Sequence, residues 1–144
     1  MIADFNEAGA KEAAENIKKQ GGEAAGVFLD AGQADSIQAA VDFTVKQYGT
    51  VSVLVNNVGM TNLHSDLDVV NLDLEECDRL MDVNLKSVLL GSRFAIPHMI
   101  KAGGSSIINK ASMAGFTGDS VRSPIWCVQS GGREFDSLYR CAVW

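Results

Sequence analysis

Val51-Ser52-Val53-Leu54-Val55, followed at once by Asn56-Asn57-Val58-Gly59, is the stretch that decides how this chain folds. The first five residues are nearly all apolar, rich in β-branched side chains, and too few for a helix. Apolar and polar residues do not alternate cleanly, so the stretch predicts a strand buried on both faces, as in the interior of a parallel sheet. Asn56 to Gly59 are turn formers and end it.

Working outward, helical and strand-like segments alternate. Upstream, Asn6 can cap a helix whose first turn holds Glu7 and whose apolar positions are Ala10, Ala13, Ala14 and Ile17. Lys18 and Lys19 suit its carboxyl end, where the helix dipole favours cations, and Gly21-Gly22 stop it. Ala24–Leu29 reads as a short strand closed by Asp30. A second helix is expected over about 35–48, with Ile37, Ala40, Val41, Thr44 and Val45 on one face and Gly49 as its stop. Downstream, a polar loop runs to about Leu72, and Asp73 opens one long helix reaching about Lys101, with Leu80, Val83, Leu89 and Phe94 among its apolar positions. Pro97 is expected to kink or end it. Gly103-Gly104 make a turn, and a further strand begins at Ser105–Ile108. This alternation is the signature of βαβ crossovers and a parallel sheet.

Composition bounds the function. The chain has 144 residues, 47% of them hydrophobic, with 12 basic against 18 acidic residues and a net charge of −6. One domain with a packed core is expected. The acidic balance argues against a nucleic-acid partner. No apolar run approaches a bilayer span, and no leader is readable at Met1-Ile2-Ala3-Asp4, so a cytoplasmic location is expected. Cys77, Cys127 and Cys141 are odd in number and match no metal spacing, which fits reduced thiols. His64 and His98 stand apart from any ligand-like partner, and no metal site is expected.

Taken together, the motifs from Met1 to about Pro124 resemble the classical short-chain dehydrogenase/reductase family. Ile2-Ala3-Asp4 is similar to the end of that family's second strand and Leu29-Asp30 to the end of its third. Asn56-Asn57-Val58-Gly59 resembles its Asn-Asn-Ala-Gly motif after the fourth strand, with Val58 in place of the alanine. Val83-Asn84-Leu85 and Ile107-Ile108-Asn109-Lys110-Ala111-Ser112 resemble its fifth helix and fifth strand. The fold implied is a partial Rossmann-like, doubly wound parallel sheet of three α/β/α layers. It lacks the first strand and the glycine-rich loop, which cradles the cofactor pyrophosphate at a helix N-terminus. The absent strand would lie between the family's second and fourth, so unpaired sheet edges are expected.

The activity implied is hydride transfer between a nicotinamide and a secondary alcohol or ketone. Asp4, at a strand's carboxyl end, would accept hydrogen bonds from the ribose hydroxyls and repel a 2′-phosphate, which favours NAD over NADP. Read alone, the lesser alternative is a helix N-terminal acid. Asp30, with Ala31 beside it, resembles the residue that contacts the adenine amino group, and is equally a turn former. Asn56, Val58 and Gly59 would meet the cofactor, Gly59 by allowing close backbone approach and Asn56 by bracing adjacent strand ends. Asn84 resembles the helix asparagine that holds a proton-relay water; without the family it is a mid-helix defect. Ser112 resembles the serine that binds the substrate oxygen, although Lys110-Ala111 before it depart from the usual pattern. The resemblance further implies a small alcohol or carbonyl substrate and a homo-oligomer.

The family's catalytic tyrosine, and the lysine one helical turn later that lowers its pKa, are not found. The tyrosine should fall near Ile125, where the chain reads Ile125-Trp126-Cys127-Val128-Gln129. Tyr139 is the nearest tyrosine and no lysine follows it. A one-base shift of frame turns these five residues into Y-G-A-S-K through permitted codons. Residues 1–124 are therefore read as a partial domain and 125–144 as an out-of-frame tail. The expected coding sequence has ATA at Ile125; codons that do not yield Y-G-A-S-K in the shifted frame would refute the reading.

Overall fold

The computed structural model describes residues 1–62 and 70–111. Its elements run in the alternating order expected: β1 (Ile2–Asp4), α1 (Glu7–Lys19), β2 (Gly26–Phe28), α2 (Ala34–Tyr48), β3 (Val53–Asn56), α3 (Leu74–Met81), a π-helical turn (Asp82–Lys86), α4 (Ser87–Ala102) and β4 (Ser106–Asn109). The chain divides into two compact units, one of Met1–Leu54 with Leu89–Ile107, the other of Val55–Val88 with the residues from Ile108 on.

In the first unit β1 and β2 pair in parallel, with Ile2 beside Gly26, Ala3 beside Val27 and Asp4 beside Phe28. Helix α1 connects them and packs back on both strands. Its start is set as expected, for the Asn6 side chain accepts a 3.0 Å hydrogen bond from the Gly9 amide. Ala10 and Ala14 are its buried residues, and small side chains let it approach the strands closely. The approach is closest at Gly26, where a Cβ would lie 2.4 Å from the backbone carbonyl carbon and oxygen of Ala10. Helix α2 ends at Gly49, whose φ of 84° is left-handed and whose amide donates to the Val45 carbonyl. Val41, Val51, Ala95 and Met99 form the buried centre of this unit, flanked by Val45, Leu54, Phe94 and Ile107.

Strands β3 and β4 form a second two-stranded pair. Ser106 donates to the Ser52 carbonyl and Lys110 to the Asn56 carbonyl, each at 3.0 Å, so both chains advance together and the pair is parallel. Among the described residues the strands form two separate pairs, β1–β2 and β3–β4. The expectation that Val51–Val55 is buried on both faces is corrected here. Leu54 is half-buried, but Val53 and Val55 are 56% and 55% exposed. A parallel strand loses both faces to solvent-free packing only when helices cover the sheet on both sides, and among the described residues the side bearing Val53, Val55 and Ile108 stays exposed.

In the second unit Asp73 caps α3 by accepting from the amides of Glu75 and Glu76 at 3.0 and 3.3 Å. Leu80 is fully buried. The long helix expected from Asp73 runs to Ala102, with a π turn at Asp82–Lys86 set within it. Pro97 neither ends nor interrupts α4, which runs on to Ala102.

Candidate functional site

The strand register of the first unit carries Asp4 and Asp30 to the same end of β1–β2. Asp4 closes β1 beside Phe28, and Asp30 follows β2 two residues after Phe28. Both acids also shape the chain locally. Asp4 Oδ1 accepts from the Asn6 amide at 2.9 Å, turning the strand into α1. Asp30 Oδ1 accepts from the Gly32 amide at 2.9 Å, and its own amide donates to Ser36 Oγ at 2.9 Å, tying the turn to the first part of α2. The turn-forming alternative for Asp30 is thus a real part of its work. Each carboxylate keeps a second oxygen with no partner among the described residues. Ala31, next to Asp30, is buried.

In the second unit Asn56 meets Asn109, and the loop at Gly59 and Met60 meets Asn84. Asn56 Nδ2 donates to Asn109 Oδ1 at 2.8 Å, so the two amides brace the carboxyl ends of β3 and β4. Asn109 was given no role from sequence; only the register of β4 against β3 pairs it with Asn56. Asn84 Oδ1 accepts from the Met60 amide at 2.7 Å, and Asn84 Nδ2 donates to the Met60 carbonyl at 2.9 Å. One side-chain amide thus satisfies both backbone groups of a loop residue, as a strand neighbour would. Gly59 lies against the same amide: a Cβ there would sit 3.2 Å from Asn84 Oδ1. Val58 is exposed.

The π turn has a local cause that can be traced. The Ser87 amide donates to Asp82 five residues back, rather than to Val83. The Val83 carbonyl accepts instead from the Ser87 hydroxyl at 2.6 Å, so it is not orphaned. The wide turn contains Asn84, whose side chain leaves the helix for Met60. Such turns recur at functional sites. No sequence signal for the π turn was read beyond the mid-helix asparagine itself.

Ser112 and the tail from Ile125 lie outside the described residues. Among the described residues no three His, Cys, Asp or Glu side chains gather as a metal site, and no helix is long and apolar enough to cross a membrane.

Known proteins share this pattern. A family model described as short chain dehydrogenase matches residues 1–125. The 7alpha-hydroxysteroid dehydrogenase of Bacteroides fragilis is 36% identical over 120 residues, 83% of this chain and 46% of that protein. The cyclohexanol dehydrogenase of an Acinetobacter species is 30% identical over 118 residues, 82% of this chain and 46% of that protein. The crystal structure of a short chain dehydrogenase from Mycobacterium smegmatis superimposes with a TM-score of 0.86 at 29% identity, covering 98% of this chain and 57% of that one. The chain spans about half the length of the curated relatives it matches.

Proposed function

Since the chain belongs to the short-chain dehydrogenase family, a family of oxidoreductases with a Rossmann-like fold, we propose that it carries the adenosine-binding part of an enzyme moving hydride between NAD and a secondary alcohol or ketone. One observation carries this reading: the parallel register of β1 and β2 sets Asp4 and Asp30 at the same carboxyl end. Dinucleotides lie at the carboxyl ends of strands in open α/β sheets.

The chemistry of the residues fits that ligand. Two carboxylates, each with an oxygen to spare, offer acceptors to the ribose hydroxyls and the adenine amino group. Asp4 would bind the ribose and exclude a 2′-phosphate; Asp30 and Ala31 would meet the base. In the second unit Asn56, Val58 and Gly59 would serve as cofactor contacts. Asn84, whose side-chain amide also holds both backbone groups of Met60, would support the proton relay. Ser112 would orient the substrate oxygen. NAD, when bound, supplies or takes up the hydride.

The tyrosine and lysine that the family uses for proton transfer are not matched in this sequence, so the proposal for this polypeptide is nucleotide binding with negligible turnover. For the intact enzyme we propose a small alcohol or carbonyl substrate, a homo-oligomer in the cytoplasm, and neither nucleic acid nor membrane as a partner.

Calorimetry on the 144-residue chain tests the reading. NAD should bind at least about tenfold more tightly than NADP, equivalent to about 1.4 kcal/mol. Asp4→Ala should weaken NAD and erase the preference. Equal binding of the two dinucleotides by the unsubstituted chain would refute it, and NADH formation with any alcohol would refute the absence of turnover.

A further inference from the structure

The aim of Asn84 at Met60 depends on the turn that carries it. The Ser87 amide reaches back five residues to Asp82 instead of four to Val83, so the turn holds one residue more than an α-helical one. One residue is about 100° of helix rotation. Closing the turn to regular α-helical bonding would therefore swing Asn84 about the helix axis by up to about 100°. Its side-chain amide could then no longer meet both backbone groups of Met60, as it does at 2.7 and 2.9 Å.

What keeps the turn wide is the partner found for the Val83 carbonyl. In a regular helix that carbonyl would receive the Ser87 amide. Here it accepts from the Ser87 hydroxyl at 2.6 Å. Ser87 is only 9% exposed and the bond is partly buried, so water is a poor substitute for the hydroxyl. A carbonyl stripped of its donor in such a place costs free energy, and the Ser87 amide is the nearest group able to repay it by returning to Val83. A second contact crosses the same turn, Lys86 Nζ to Asp82 Oδ1 at 2.9 Å, but these side chains are 60% and 42% exposed. An ion pair that open to solvent contributes little.

We propose that Ser87 is a positioning residue for Asn84. Its hydroxyl occupies the Val83 carbonyl, leaves the Ser87 amide on Asp82, and so holds the wide turn in the register that aims Asn84 at the Met60 backbone. The bearing on activity rests on the reading of Asn84 as support for the proton relay. The coupling itself belongs to the second unit, where all four residues lie, and is measured without substrate.

Nuclear magnetic resonance on the full chain tests it, through hydrogen exchange at the Met60 amide and the side-chain amide resonances of Asn84. Ser87→Ala should lower Met60 protection about tenfold and move the Asn84 resonances toward those of a solvent-exposed asparagine. Ser87→Thr should keep both near their original values, because a threonine hydroxyl bonds the carbonyl four residues back in a helix. Lys86→Ala should change neither. In an Asn84→Ala background, Ser87→Ala should add nothing at Met60, whereas a merely structural serine would weaken that amide in both backgrounds. If Ser87→Ala does not fold, Ser87→Cys takes its place, since a thiol is a weaker donor, and should fall between serine and threonine on one side and full release on the other. Met60 protection unmoved by Ser87→Ala or Ser87→Cys, Ser87→Thr no better protected than they are, or equal losses in both backgrounds overturns the proposal. Such a result leaves the preference for NAD over NADP untouched, and equal binding of the two dinucleotides leaves the coupling between Ser87 and Met60 untouched.

Discussion

Gly26→Ala is expected to cost about 3 kcal/mol or more of stability. The added Cβ would lie 2.4 Å from Ala10 carbonyl carbon and oxygen and 2.5 Å from the Lys11 amide nitrogen. All three are backbone atoms of α1, so no side chain can swing aside; the helix must lift from β2 as a body. Overpacking into a well-packed site costs about 1–3 kcal/mol when side chains can adjust, and here they cannot. The lower entropy of an unfolded chain with alanine offsets only about 0.4–1 kcal/mol. Urea unfolding followed by far-UV circular dichroism measures the loss. Gly104→Ala is the control, since nothing lies within 4 Å of a Cβ there and its φ is not left-handed; it should leave the midpoint almost unmoved. A Gly26→Ala midpoint equal to the control would show that α1 does not sit this close to β2.

Asn84→Ala should release the loop at Met60. It removes two hydrogen bonds, one to each backbone group of that residue. Each is worth about 1 kcal/mol net, and leaving a partly buried partner unsatisfied raises the cost. About 2 kcal/mol of local stability is therefore expected to disappear, which lowers the hydrogen-exchange protection of the Met60 amide about thirtyfold. Asn84→Asp keeps an oxygen to accept from that amide but loses the donor to the Met60 carbonyl, so part of the protection should remain. Exchange at Met60 that ignores both substitutions would mean that the amide is held by something other than Asn84.

The local features were legible in sequence because each depends on residues only a few positions apart. Asn6 and Asp73 cap their helices, as their side chains and the amides that follow dictate. Gly49 ends α2 because glycine enters the left-handed region without cost. The identity of the β3 segment was legible in Val51–Val55, but its two-sided burial was not. Burial depends on what lies over the sheet, and the strand looks the same whether one layer or two covers it.

What the sequence determined by itself was the order of helices and strands, their caps and stops, and the acids that close β1 and β2, because propensity, capping and turn chemistry act over one or two turns of chain. What only the tertiary structure decided was which distant groups meet. Asn56 finds Asn109 across 53 positions and Asn84 finds Met60 across 24, while Gly26 lies under Ala10 and Phe5 against Phe28. An amide, a missing Cβ or an aromatic ring reads the same in sequence whatever faces it. Strand register and the seating of a helix on its sheet choose the partner, and with it whether the residue braces a neighbour or yields space to it.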